Sequence, residues 1–205
     1  NELFRKHAIG RFDELLFGII RDPAMLAYLD NNDSRKGKPN ENLAREIMEL
    51  FALGIGAYGE KDIKEGARAL TGYTFQDDAF QFQKNNHDDG AKTILGKSGK
   101  WDGDDFVKII LAQPACAMFI ARKMYGFFGE ELPPTERMSD RDLPPAAGHA
   151  VRTMASTLSN GWNLRETLRQ LFLSEHFYSA RLMSQQIKSP TVLIVGAIRS
   201  LNAPA

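Results

Sequence analysis

The run Asn40-Glu41-Asn42-Leu43-Ala44-Arg45-Glu46-Ile47-Met48-Glu49-Leu50 constrains this chain most, because it reads in only one regular structure. At 3.6 residues per turn, Leu43, Ala44, Ile47, Met48, Leu50 and Phe51 fill one side, while Glu41, Asn42, Arg45, Glu46 and Glu49 share the other arc. The spacing predicts a helix over 41–53 with Gly54 behind it as the stop. Arg45 lies four residues from both Glu41 and Glu49, so it is placed to bridge two carboxylates. The arc is either a solvated face or a polar site inside the fold. If the Arg45–Glu41–Glu49 network is structural and buried, removing Arg45 strands carboxylates at a cost of roughly 3–5 kcal/mol.

Helical periodicity extends along most of the chain. Short helices are expected over 2–9, 11–21 and 23–29, broken by Gly10 and Pro23, then a polar loop over 31–39. A helix over 60–71 carries the stripe Ile63, Ala67, Leu70 and ends at Gly72. Further helices are expected over 103–112, 114–127, 146–158, 164–173 and 191–201, with Asp102, Asn163 and Ser189 as their caps where a cap is legible. Residues 129–145 read as a loop between Pro-containing ends. Between 73 and 100 the period changes: Phe80-Gln81-Phe82-Gln83 alternates, and Thr93-Ile94-Leu95 is a second short β candidate. The expected fold is mainly α, a multi-helix globular domain over 1–205 with one small inserted β-hairpin in 73–100.

Composition narrows the function classes. Lys plus Arg and Asp plus Glu each number 26, so the basic surplus that a nucleic-acid binder uses to track phosphates is missing. The longest apolar stretch, 106–121, is interrupted by Lys108, Gln113 and Pro114 and is no membrane span. With a single cysteine there is no internal disulfide, and Cys116, among Ala115, Ala117 and Met118, reads as a core residue.

Two places could hold chemistry. Glu41, Glu46 and Glu49 could bind a divalent cation or divide acid and base roles, although no His stands at the helical spacing usual for carboxylate metal sites. His87 and Asp88 lie in the Gly-containing loop His87-Asp88-Asp89-Gly90, where His87 could act as a base or ligand, or could anchor a turn. Lys92 follows within reach of Asp88. Asp102-Gly103-Asp104-Asp105 has the look of part of a calcium loop, but it lacks the later Glu and reads better as a helix cap. His7, His149 and His176 stand outside any motif. No G-x-S-x-G, H-E-x-x-H, P-loop or dinucleotide fingerprint is present, which leaves metal and cofactor unassigned.

The stretch Pro39 to Gly54, with Tyr58, Glu60, Asp62, Ala67, Arg68, Thr71 and Gly72 after it, resembles the bacterial domain-of-unknown-function family 1800 (DUF1800). Asp22-Pro23-Ala24-Met25, Tyr28-Leu29-Asp30, His87-Asp88, Gly90, Lys92, Gly96 and Lys188-Ser189-Pro190 add to the likeness. Gly59 departs from the Thr or Ser expected as the cap of the next helix, while Asp62 keeps the acidic third position. The resemblance implies the C-terminal half of a longer exported protein, periplasmic or in the cell envelope, often with a twin-arginine signal. It also implies a sulfatase-like protein encoded nearby and contact with the N-terminal half, and it names no reaction. Two readings follow. The first is a binding or scaffold module acting with a partner protein or envelope component, which predicts exposed apolar surface. The second is a metal-dependent or acid/base hydrolase, in which Glu41, Glu46, Glu49, His87 and Asp88 converge on one cleft.

Overall fold

The computed structural model describes residues 2–133, 143–183 and 187–201. Among them five α-helices precede two small antiparallel sheets and five more α-helices follow, a mainly α fold. Helices α1 (Glu2–His7), α2 (Phe12–Ile19) and α3 (Pro23–Tyr28) open the chain, and α4 (Asn42–Glu46) follows a polar loop. Helix α5 (Glu60–Ala69) leads to strands β1 (Tyr73–Gln76), β2 (Ala79–Phe82), β3 (Lys92–Ile94) and β4 (Lys97–Gly99). Helices α6 (Gly103–Leu111), α7 (Pro114–Phe128), α8 (Pro145–Ser159), α9 (Leu164–Phe172) and α10 (Pro190–Ser200) complete it. Most of the expected loop over 129–145, namely 134–142, lies outside the described residues.

The caps behave as the sequence predicts. Asp102 accepts from the Asp105 amide at 3.0 Å, Asn163 from the Glu166 amide at 3.1 Å and Ser189 from the Val192 amide at 3.3 Å. Around α7, buried Phe119, Ile120, Ala121 and Tyr125 meet Val151, Met154 and Leu158 of α8, Phe106 and Ile110 of α6, and Ile47 and Met48. Each buried Leu, Ile or Phe contributes about 1.5–3 kcal/mol, so this shared core holds α6, α7, α8 and the Ile47–Ala52 turn together.

Two expectations change in detail. The helix expected over 41–53 is α-helical only to Glu46; Ile47–Ala52 is a π-helix, in which the Leu53 amide bonds to the Met48 carbonyl at 2.9 Å. The two β segments do not pair with each other. Phe80 and its neighbours pair with Tyr73–Gln76, and Lys92–Ile94 pairs with Lys97–Gly99, giving two hairpins in place of one. Each hairpin turns on two residues of positive φ, Asp77 (51°) with Asp78 (57°), and Leu95 (47°) with Gly96 (77°). That is the backbone a two-residue I′ turn needs. Leu95 therefore belongs to the turn, and its amide is held by the Asp62 carboxylate at 2.8 Å.

Candidate functional site

Helix α5 organises both groups of candidate residues. At its start, Asp62 accepts from the Gly59 amide at 2.9 Å, supplying the acidic half of a capping box although Gly59 has no side chain to return the bond. Arg45 then reaches across from α4 to Glu60 with two bonds, at 2.9 and 3.0 Å, and to Glu41 at 3.1 Å. Together these carboxylates hold the guanidinium well above its ordinary pKa, with Glu60 the larger influence. Glu49 faces a different partner and accepts from the Tyr58 hydroxyl at 3.3 Å. The π-helix explains this: in a widened turn the neighbour on the same face is i,i+5, so Glu49 rotates away from the line of Arg45. Burial, then Glu49, pushes the Tyr58 hydroxyl up to about 12. Glu46 is half-buried on the same helix.

The other end of α5 holds the 87–92 loop. Arg68 donates to both oxygens of Asp88, at 2.8 and 3.2 Å, to Glu65 at 2.9 and 3.0 Å, and to the Ala91 carbonyl at 3.1 Å. The fork keeps the Asp88 carboxyl down at about 2, against an ordinary 3.8. Glu65 passes the connection on by accepting from the Thr93 amide at 3.1 Å. Lys92 is 1% exposed and donates to the carbonyls of Asp88 and Gly90. Burial pulls its pKa down, and the Asp88 charge opposes that. Thr71 accepts from the Asp88 amide at 2.8 Å, and its own carbonyl lies 2.9 Å from Nδ1 of His87. A carbonyl can only accept, so Nδ1 carries the proton and Nε2 is the His87 nitrogen left for other partners.

The two sets of candidates thus do not converge. Glu41 and Glu49 are tied to the first turn of α5 and its approach, and His87 and Asp88 to its last turn. Glu60 and Arg68 are separated by about 12 Å of helix axis at 1.5 Å per residue. Among the described residues, no group of three or more His, Cys, Asp or Glu side chains is arranged to hold a metal ion. No helix among them is long and apolar enough to cross a membrane. Cys116 is buried, and desolvation pushes its thiol up to about 12.

His87 instead lines an open cleft of about 510 Å³ with Lys36, Phe82, Lys84, Asn85, Asp89, Lys100 and Asp102. Backbone bonds pre-form its walls: the Lys36 amide to the Asn86 carbonyl at 2.7 Å, and the Gln83 amide to the Gly72 carbonyl at 2.8 Å. The Phe82 ring stands edge-on to His87 with centroids 5.3 Å apart.

A second polar cluster is absent from the sequence expectations. The Tyr125 hydroxyl lies 3.0 Å from the Glu130 carboxylate and 2.7 Å from Nε2 of His176, whose ring stacks on the tyrosine at 5.8 Å. An ionised Glu130 can only accept, so the tyrosine proton goes to it and His176 donates from Nε2. Burial, then Glu130, pushes the Tyr125 hydroxyl far up. His176 also borders a pocket of about 250 Å³ with His149 and Met154. Sequence reasoning had no signal for this cluster, since His176 lies 51 residues from Tyr125 and joins it only by the packing of the chain.

No curated protein and no solved structure matches the chain. Over residues 1–205 the sequence matches the family described as a protein of unknown function, DUF1800. With its whole length covered, and with the helices that the shared motifs imply in place, the chain belongs to the DUF1800 family.

Proposed function

We propose that this domain is a binding module that works by association with a partner protein, with α10 as the docking element. One observation carries the reading. Pro190–Ser200 has no buried residue, although Val192, Leu193, Ile194, Val195 and Ile198 are apolar and 38–58% exposed. A helix that is apolar all round is stable in water only when another surface covers it, and a surface of this kind marks an interaction site. The single charge on α10 is Arg199, so the surface it fits is an apolar groove with at most a carboxylate at its rim. The hydrolase reading has less support, because its carboxylates and His87 are engaged at opposite ends of α5.

Export to the periplasm or cell envelope and a sulfatase-like partner belong to the same proposal, on the strength of the family resemblance. The test is a photo-crosslinking residue at Ile194 in the native host, with Lys61 as the control position. A discrete adduct with one other protein at position 194 alone is the expected result, lost when Val195→Asp is added. An adduct between two copies, or none, overturns the docking reading. Fractionation of the same cells checks export, and recovery in the cytoplasm overturns that part.

A further inference from the structure

We propose that the cleft beside His87 binds an acidic oligosaccharide, a chain of hydroxyl-rich rings bearing carboxylates. This inference stands apart from the α10 reading and rests on different residues. Beside the 510 Å³ cleft lies a second open hollow of about 390 Å³, lined by Gln83, Lys84, Asn85 and Asn86. Lys84 and Asn85 border both, so the two hollows are neighbours that one extended ligand can reach. Each lobe is within the size range of small-ligand sites, and the pair suits an extended ligand.

The chemistry of the lining identifies the ligand class. Phe82 is 45% exposed at the edge of β2, an apolar ring placed where the hydrophobic face of a sugar ring can rest. The Asn86 amide nitrogen donates to the Gln83 side-chain carbonyl. That leaves the Gln83 NH2 as donor and the Asn86 oxygen as acceptor, the mixed set that hydroxyl groups require. Nε2 of His87 adds a polar contact in the larger lobe, because Nδ1 is committed to the Thr71 carbonyl: an acceptor in the neutral ring, a donor in the protonated one.

Charge selects an acidic chain. The larger lobe is lined by three lysines, Lys36, Lys84 and Lys100, against two carboxylates, Asp89 and Asp102, an excess of one positive charge, with Lys36 paired to Asp89 at 3.1 Å and Lys100 also acting on Asp89. Lys84 serves both lobes, and Lys36 and Lys100 only the larger one. Lys84, the lysine shared by both lobes, is a single ammonium group, which suits one carboxylate of an acidic chain at a time, and without an Arg among the lining residues there is no bidentate fork. The walls need no rearrangement to bind, since the backbone bonds of Lys36 and Gln83 already fix them.

The test is titration of the full chain with tetragalacturonate at low salt, by calorimetry and by 1H–15N spectra. Saturable binding with shifts at Phe82, Asn85 and His87 is expected. Lys84→Gln, an exposed substitution, should weaken it roughly tenfold, the loss of one charge-assisted contact. Equal binding of neutral maltotetraose would show that charge plays no part and overturn the acidic assignment. Equal binding of inorganic phosphate or of a polyglutamate peptide would reduce the groove to a general anion site. Absence of binding, or binding untouched by Lys84→Gln, also overturns it.

Discussion

At the scale of single residues, two arginines that look equivalent in sequence differ in what surrounds them. The Arg45 side chain is 36% exposed and its partners Glu41 and Glu60 are 35% and 68% exposed, so water and salt screen the network. Arg45→Ala should cost less than about 1 kcal/mol, and the difference from wild type should vanish at high salt in urea melts. The larger figure of the buried case does not apply. Arg68 is the opposite case: its side chain is 27% exposed and that of Asp88 15%, and it holds Asp88, Glu65 and the Ala91 carbonyl at once. Arg68→Ala should cost about 2–3 kcal/mol, less than a fully buried pair but well above an exposed one. The Asp88 carboxyl is held near 2 when folded and returns to an ordinary 3.8 when unfolded. Between those values the unfolded chain binds the extra proton. About 2 kcal/mol of stability is therefore present above pH 4 and lost as pH falls toward 2. Denaturation at stepped pH should show that slope in wild type and a flatter one in Asp88→Asn.

At the scale of elements, the junction after the signature helix is the most constrained. Gly54 has φ +79°, and a Cβ there would meet the Phe119 ring at 2.8 Å. Gly56 has φ +92° with nothing within 4 Å. Gly54→Ala should cost about 2–4 kcal/mol, the sum of a left-handed backbone and a clash with a core ring, and Gly56→Ala about 1–2 kcal/mol from the backbone alone. Paired chemical denaturation of the two variants separates the two effects. The stop glycine and the apolar face of this helix were legible in the sequence because both follow from local geometry. The π-helix was not, since 3.6-residue periodicity hardly differs over one widened turn. It is that turn which turns Glu49 toward Tyr58 and leaves the second place on Arg45 to Glu60. The hairpins were half legible. Alternation marked Phe80 and Phe82, but Asp77-Asp78 carries no glycine to announce a turn, and Leu95 is held at positive φ by a carboxylate from α5.

At the scale of the whole molecule, the core closes without α10, which has no buried residue. Truncation after Met183 should leave the melting temperature within about 2 °C of the full chain by calorimetry, because exposed apolar groups contribute little to folding. A loss of many degrees would mean that α10 packs on the body. Sequence alone determined the parts whose causes are local: the helices and their caps, the buried cysteine, the balanced charge and the family. Tertiary structure alone decided which charges meet. Arg68 and Asp88, 20 residues apart, and Tyr125 and His176, 51 apart, are brought together by packing, while the Glu41 arc and His87 are held at opposite ends of one helix. Periodicity reports which side of an element is buried, but not which neighbour it is buried against, and the chemistry of a site depends on that neighbour.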